Sequence, residues 1–586
     1  MPDVSAFLIE DDFLASLVKR FESKASQRQT EEIHIPEDEL TEALRIGRKY
    51  VEQWEKLENQ ISKEVRKTEE NHGTTNVGEK SMNYPCRHAS KPHDPEVAAE
   101  SKEAAVYLVA RKLGIPAEKI GDFPQTKNFR NGADDRQTCD ATSKFRNIDG
   151  TCNNLAVPSY GKSGSIFSRL IVNSNEGYGD GIGAIRTSKL TKNPLPSPCS
   201  ISTAVLVNDS VPNPAVTLLA MQWGQFLDHD LTLTPTFKNN DGKEFACCST
   251  DSIGTTLLTT PHPECLPIII PLNDSTYNPS VDGDGRVNEQ PLLTVMHTIW
   301  LREHNRIAGF LYQFVPNQTD EYYYQHARRI VIAVMQHIIY TEYLPVIIGP
   351  TLAAQVMSPE NGYYNGNPAV FTEFSLAAYR MGHSQTPAQA VDNSFAEDLT
   401  SQLFKAKGEK LGMDLISFNI QRGRDHGLPP YVSMLYYLAS NFLLQTQPTS
   451  FDHLLPRTSS EVVSAMKSVY ESVYDVDLYI GGVTEKPLPN AELGPTFAGI
   501  FAIQFLNLRR TDRFFYTNNI GQPTGFTSNQ LEQIQKMSMA RIICSNNDGT
   551  IKEIQPNVFR TPDELLNKRI PCNRITGIDW NYFLKI

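Results

Sequence analysis

The chain has 586 residues, of which 55 are basic and 67 acidic, so its formal net charge is −12. Such an acidic chain lacks the basic face with which a general nucleic-acid binder neutralises phosphates. The composition, 40% hydrophobic and 21% charged, is that of a globular protein, and we find no run of about 18 apolar residues that would indicate a membrane helix. We therefore expect neither a nucleic-acid partner nor an integral membrane segment.

The N-terminal sequence and the cysteines give opposite indications of location. MPDVSAFLIEDDFLASLVKRF lacks the basic start and the continuous apolar stretch of a secretory signal. However, the cysteine pairs 139/152 and 544/572 are spaced as disulfide loops of an exported protein, and no zinc-type spacing occurs. Glycosylation sequons stand at Asn208, Asn273 and Asn317. We expect an extracellular protein whose signal is missing from this chain.

Residues 1–125 are predicted to form a separate pro-segment or accessory region. Within it, apolar residues recur at helical spacing in 39–70 and 96–113. The composition changes at residue 126, after which long helical patterns alternate with loops rich in proline and glycine, and strand alternation is rare. We predict a mainly α fold with one large domain over 126–586. Its helical patterns lie at 213–231, 288–313, 319–347, 370–383, 429–446, 459–474 and 527–541.

The first candidate site lies in MQWGQFLDHD at 221–230. On a helix, Gln225, Asp228 and His229 stand at i, i+3 and i+4 and share one face. Placing an amide, a carboxylate and an imidazole beside apolar residues costs free energy unless a polar group meets them. A core histidine satisfied by neighbouring acids explains the same spacing, so that alternative stays open at this stage.

The second candidate, DGDGRVNEQP at 282–291, opens a long helix. Arg286 and Glu289 are i, i+3 neighbours there, and a surface ion pair is the structural alternative. Residues 278–289 also resemble an EF-hand calcium loop, but the asparagine at its first position and the following proline disfavour that interpretation. His297 and His304, seven residues apart, lack metalloprotease spacing, and we expect them to be structural.

Two further candidates lie in the second half of the chain. In LAAYRMGHSQTP at 376–387, His383 follows Arg380 by three residues at the end of an apolar helical pattern. In LISFNIQRGRDHG at 415–427, Asn419 stands in an apolar run and Arg422 follows it. Neither motif is specific when it is taken alone.

Together and in this order, the four stretches resemble the animal haem peroxidases, the peroxidase–cyclooxygenase superfamily. The resemblance runs from about residue 126 to the C-terminus and includes WLREHNRIAGFL at 300–311, DRFFYTN at 512–518 and RIICSN at 541–546. The N-terminal helices and the segment CCST…HPECLPI at 247–268 are most similar to the arthropod peroxinectin and chorion-peroxidase branch.

The resemblance implies a b-type haem between two histidines. His383 would be the proximal iron ligand, and Asn419 would accept a hydrogen bond from its other ring N–H. On the opposite side, His229 would act as general base and then general acid on hydrogen peroxide. Arg286 would stabilise the developing charge, and Gln225 would order water or halide.

The resemblance also assigns roles around the rim of the haem. Asp228 and Glu289 match the carboxylates that form esters with it, while position 290 is glutamine where some members carry a methionine that makes a third link. The cations Arg380 and Arg422 match residues that pair with the haem propionates. Asp230 matches one calcium ligand of the family.

Two segments typical of the family are missing. The chain is shortened near 272–282, where members carry a calcium loop, so Asp230 would be left as a vestigial ligand and calcium binding is doubtful. It is shortened again near 384–390, directly after His383, where members continue along the proximal side of the haem. Both gaps adjoin predicted haem-site residues, so the pocket is expected to lose packing there. A spliced isoform or an incomplete gene model would explain them.

The resemblance implies a peroxidase that reduces hydrogen peroxide and oxidises small donors, namely phenols, tyrosines, halide or thiocyanate. The alternative is a catalytically impaired extracellular protein that keeps the peroxidase body as a scaffold for matrix or cell-surface proteins. The sequence contains no RGD or KGD tripeptide that would support integrin binding. A calcium-sensing helical protein depends only on the EF-hand-like stretch.

Overall fold

The architecture comes from a computed structural model of the chain. The structure describes residues 138–165, 167–171, 187–207, 213–232, 286–287, 289–358, 362–385, 390–403, 413–442, 448–518 and 524–584. The predicted N-terminal region 1–125, the shortened stretch at 272–282, the sequons at Asn208 and Asn273, and most of the EF-hand-like stretch lie outside these residues.

The described residues confirm the mainly α prediction. The helices are α1 Pro198–Val205, α2 Leu218–Leu231, α3 Pro291–Phe314, α4 Asp320–Ile338, α5 Leu344–Ile347, α6 Pro350–Val356, α7 Thr372–Leu376, α8 Glu397–Thr400, α9 Leu415–Asp425, α10 Tyr431–Phe442, α11 Ser460–Val469, α12 Leu478–Val483, α13 Pro495–Thr511, α14 Ser528–Ile534 and α15 Met539–Asn546. The strands of the described part are β1 Glu553–Ile554 and β2 Ile570–Pro571, which pair antiparallel with Glu553 opposite Pro571.

Helix α13 lies at the centre of the core. Pro495 begins it, and nearly all of its residues are buried, because α6, α7, α10 and α12 pack around it. Sequence analysis did not predict this helix, since a helix that is apolar on every side lacks the one-sided periodicity that identifies amphipathic helices. Helix α9 was also missed as a helix, although its motif was noticed; Asp414 caps it by accepting from the backbone N–H groups of Ile416 and Ser417.

Several predicted helices are interrupted or shorter than expected. The pattern at 370–383 forms α7 and then a 3-10 helix, Ala378–His383, because the backbone turns at Ala377. The pattern at 319–347 is interrupted by a π-helical turn, Ile339–Tyr343, between α4 and α5. The pattern at 527–541 forms two helices, α14 and α15, and α11 ends at Val469.

Two disulfides confirm the pairings expected from cysteine spacing, Cys139–Cys152 and Cys544–Cys572. The first closes a loop within the first described segment, and the second ties the C-terminal segment to α15. One helical segment within the described ranges, Asp320–Ile347, has the length and hydropathy of a membrane span, but 67% of its apolar window is buried inside the protein. That degree of burial is typical of a core helix.

Candidate functional site

Helix α2 carries the first predicted group. The imidazole of His229 is 6% exposed, and its Nε2 lies 3.6 Å from the Glu289 carboxylate. Nε2 of Gln225 donates to the same carboxylate at 3.2 Å. The structure therefore brings Gln225, His229 and Glu289 together, although Glu289 follows His229 by 60 residues in the chain.

Arg286 joins this group through the backbone of α2. Its guanidinium donates from Nη2 to the carbonyl of His229 at 2.7 Å and from Nη1 to the carbonyl of Thr232 at 3.1 Å. A cation at the C-terminal end of a helix interacts favourably with the helix dipole. In this arrangement Arg286 closes the C-terminal end of α2 next to His229.

An amide network lies behind the carboxylate of Glu289. Gln290 caps α3 by accepting from the backbone N–H of Leu292, and its Nε2 donates to Gln225 at 2.9 Å. Gln290 also donates to Gln222. In the sequence, position 290 was of interest only because it is not a methionine. In the structure, the Gln290 side chain fixes the orientation of Gln225.

The second group lies at the 3-10 helix Ala378–His383. Nδ2 of Asn419 lies 2.8 Å from Nδ1 of His383, and Oδ1 of Asn419 accepts from Nη1 of Arg380 at 3.0 Å. Asn419 is fully buried. The contact with Arg380 therefore orients the amide so that its NH₂, and not the predicted oxygen, faces His383.

The electrostatics keep His383 neutral. Burial lowers its pKa to about 3, and the neighbouring Arg380 guanidinium acts in the same direction. Burial also lowers the pKa of Arg380 itself, while the negative charge of Asp228 raises it and the positive charge of Arg422 lowers it. A neutral imidazole is the form that can bind a metal ion.

Arg169 extends this cationic region next to His426; sequence analysis missed Arg169, and it noted His426 only as part of its motif and gave it no role. Arg169 donates to the carbonyls of Gly427 at 2.8 Å and His426 at 2.9 Å. Burial lowers the pKa of His426 to about 4, and Arg422, Arg380 and Arg169 are close enough to lower it further. No local pattern marks Arg169, because it lies in an irregular stretch.

Asp228 connects the two groups. It lies beside His229 on α2, accepts from the Thr232 hydroxyl at 2.9 Å, and interacts electrostatically with Arg380. Helix α2 also contacts the 3-10 helix that carries His383. The predicted residues from both halves of the chain thus converge on one region.

Two buried tyrosines that sequence analysis missed also lie there. Tyr343 and Tyr379 interact with each other and with Asp228, and burial raises the pKa of both phenols. The two hydroxyls are close enough to shift each other's pKa, and neither makes a hydrogen bond to any other group in the described part of the chain.

The predicted calcium ligand Asp230 interacts electrostatically with Tyr379, whereas a described cavity lies away from the predicted site residues. Asp230 is exposed and interacts electrostatically with Arg146. Within the described ranges, no three His, Cys, Asp or Glu side chains come close enough together to hold a metal ion. A cavity of about 610 Å³ between the first disulfide loop and α4 is lined by Phe145 and Tyr322 among others, and none of the predicted site residues lines it.

The comparisons with known proteins agree with the motif order. The family model described as "Animal haem peroxidase" matches residues 145–282, 280–389 and 385–559. The chain is 29% identical to the chorion peroxidase of Drosophila melanogaster, over 74% of this chain and 69% of that protein. It is also 29% identical to a "Peroxidase" of the same organism, over 75% of this chain and 83% of that protein.

A solved structure supports the fold. Peroxidase A from Dictyostelium discoideum is similar with a TM-score of 0.51 and 23% identity, over 72% of this chain and all of that one. The three matched segments of the family model together span more than half of the chain. The chain therefore belongs to the animal haem peroxidase family and is a peroxidase.

Proposed function

We propose that this peroxidase uses a haem held by His383 to reduce hydrogen peroxide and to oxidise small donors, namely phenols, tyrosines, halide or thiocyanate. The observation that carries the proposal is the convergence of α2 with the 3-10 helix of His383, with Asp228 between them. His229 and His383 are 154 residues apart in sequence, so only the tertiary fold brings them to one region.

The residues present fit a haem. His383 is half-buried, and its lowered pKa keeps it neutral, as an axial imidazole must be. Arg380, Arg422 and Arg169 form a cationic cluster that suits the two propionates. The buried hydroxyls of Tyr343 and Tyr379 lie beside each other and interact with Asp228, so the region next to that carboxylate is polar and buried. A bound haem would supply the reaction with hydrogen peroxide and the oxidising equivalents that result from it.

On the proximal side, Arg380 and Asn419 control the ring proton of His383. Binding of iron through Nε2 requires that the proton be on Nδ1, which then needs an acceptor. Oδ1 of Asn419 would be that acceptor if Arg380 paired with a propionate of a bound haem. The amide can then rotate without placing its NH₂ against the guanidinium.

On the distal side, His229 takes a proton from one oxygen of hydrogen peroxide and returns it to the departing oxygen. Arg286 lies against the backbone of His229 and would stabilise negative charge that develops on that oxygen. Gln225 would hold water or halide, with its orientation set by Gln290. Asp228 and Glu289 would hold the haem rim, including through esters, and Asp230 would be a vestigial calcium ligand.

Reconstitution with haem tests this function. We expect a Soret band and peroxide-dependent oxidation of guaiacol, a small phenol. His383→Ala should lose the Soret band, whereas His229→Ala should keep it and lose about 100-fold or more of the rate, the usual contribution of a general acid–base. His304→Ala, at a histidine of α3 outside the site, is the matched control and should behave like wild type. Equal haem binding by wild type and His383→Ala would refute the proposal.

A scaffold function in the extracellular matrix is the second candidate. It is favoured by the division of the family match into three segments, whose junctions at 280–282 and 385–389 fall next to Arg286 and His383. The two disulfides support an extracellular location for either function. Cell attachment that persists without haem and is unchanged in His229→Ala would favour the scaffold.

A further inference from the structure

Two of the four tryptophans, Trp223 on α2 and Trp300 on α3, are in contact with each other. The ring centroids of Trp223 on α2 and Trp300 on α3 are 5.7 Å apart, and the side chains are 0% and 5% exposed. Within the described residues, neither indole N–H has a hydrogen-bond acceptor. A buried indole is usually hydrogen-bonded, so a pair without acceptors is an unusual feature of this site.

Aromatic contacts connect this pair to the haem region. The ring of Phe559 lies 5.7 Å from that of Trp223 and 5.7 Å from that of Tyr343. The hydroxyl of Tyr343 also approaches α2 directly, since a Cβ built on Gly224 would lie 2.7 Å from it. Tyr343 in turn interacts with Tyr379, four residues before His383. The contacts are therefore continuous from the segment of the proximal ligand to α3.

We propose that Tyr343, Trp223 and Trp300 carry oxidising equivalents from the haem pocket to α3, and that the tryptophan pair holds them when no donor is present. The inference rests on the proposed haem site. One electron moves from the indole pair through Tyr343 to the pocket, which loses one of the two oxidising equivalents delivered by hydrogen peroxide. A donor later returns an electron to the indole.

The protonation chemistry explains why the charge rests on tryptophan. Oxidation of a phenol becomes favourable when its proton leaves, but the Tyr343 hydroxyl is fully buried beside the Tyr379 hydroxyl, and it makes no hydrogen bond to a described carboxylate or imidazole that could take the proton. An oxidised indole can keep its proton and carry the positive charge on the ring. An oxidised Tyr343 is thus short-lived, and the positive charge stays on Trp223 or Trp300.

The third described tryptophan provides a matched control. Trp580 contacts Phe310 and Phe583 near the C-terminus, and it is more exposed than either Trp223 or Trp300. An oxidant that diffuses through solution would therefore attack Trp580 first. Charge that arrives through the protein would reach Trp223 and Trp300 first, so the order of modification distinguishes the two routes.

The experiment uses the full haem-reconstituted chain with hydrogen peroxide and no donor. Electron paramagnetic resonance of rapidly frozen samples should show a tryptophan radical, and peptide mass spectrometry should find hydroxylated Trp223 or Trp300 before Trp580. Each hydroxylation takes its oxygen from water and removes two electrons and two protons in all. The double variant Trp223→Phe, Trp300→Phe should lose the radical signal, and its haem should bleach faster. Trp580→Phe should behave like wild type in both measurements.

Two negative results are distinguishable. If the sample does not oxidise guaiacol either, the haem site itself is refuted and the path with it. If guaiacol is oxidised but Trp580 is modified first, or if the Trp223→Phe, Trp300→Phe double variant keeps the same radical signal, the path alone is refuted. Trp300→Phe as a single variant retains most of the packing volume, so it serves if the double variant does not fold.

Discussion

Replacing Asn419 with leucine tests how the fold holds His383 and Arg380. The amide is fully buried and makes one hydrogen bond to the neutral imidazole at 2.8 Å and one to the guanidinium at 3.0 Å. Leucine is similar in size, so the change removes hydrogen bonds and leaves little cavity. A neutral hydrogen bond contributes about 1 kcal/mol and one to a charged group about 2 kcal/mol, so Asn419→Leu should lose about 3 kcal/mol of unfolding free energy.

Urea unfolding of the haem-free protein, followed by circular dichroism at pH 7.5, measures this loss. Asn305→Leu on the exposed side of α3 is the control and should change the unfolding free energy by less than about 0.5 kcal/mol. Asn419→Asp keeps the acceptor for Arg380 and offers a second oxygen to Nδ1–H of His383. It should therefore recover most of the lost stability, and ¹⁵N chemical shifts should place the ring proton on Nδ1.

Asn419→Leu and Asn419→Asp test two different parts of the interpretation, the hydrogen bonds and the packing. If Asn419→Leu is as stable as Asn305→Leu, the hydrogen bonds to His383 and Arg380 contribute nothing and the proximal arrangement is not as described. If Asn419→Asp is as unstable as Asn419→Leu, the loss comes from packing, and the argument from charge and tautomer fails.

Three other outcomes follow from burial and packing. Burial lowers the pKa of His326 from 6.5 to about 4, so its neutral form contributes stability that is complete above pH 6.5 and is lost as pH falls towards 4. His326→Phe should therefore flatten this acid sensitivity, by about 2 kcal/mol at pH 5, in urea titrations at pH 5 and 7.5. Gly482→Ala would place a Cβ 2.1 Å from the Phe497 ring and should lower the melting temperature sharply or abolish folding. Gly309→Ala on α3 meets no atom within 4 Å, and it should raise the unfolding free energy by up to about 1 kcal/mol; destabilisation there would contradict the open space.

The sequence predicted helices where one side of the helix faces solvent. Helix α3 is an example, because Leu293, Met296, Trp300, Ile307 and Leu311 are buried at helical spacing while most of the intervening positions are polar or exposed. Helix α13 was missed for the opposite reason, since its burial on all sides removes any periodicity. The break at Ala377 and the π-helical turn before α5 were also missed, because tertiary packing and not local propensity determines them.

The sequence singled out residues that the fold brings near one another, such as Gln225, His229 and Glu289, but it did not predict their hydrogen bonds. Sequence analysis named Asn419 as an acceptor for His383, and no spacing argument could show that Arg380 already occupies its oxygen. Likewise, the role of Gln290 in orienting Gln225 depends on two helices, α2 and α3, that only the fold brings together. These interactions join distant segments, so they leave no periodic signal along the chain.

The residues that connect the two halves of the site share this property. Tyr343 lies at the end of the π-helical turn, and Tyr379 lies in the 3-10 helix, so neither stands in a regular element whose face could be predicted. Both nevertheless interact with Asp228, which a helical pattern did identify. Two irregular elements thus bring these buried hydroxyls together beside Asp228. Because of this placement, Tyr343 can transfer an electron between Trp223 and the segment that carries His383. The oxidation of the tryptophans therefore tests the geometry of the whole site and not only one contact.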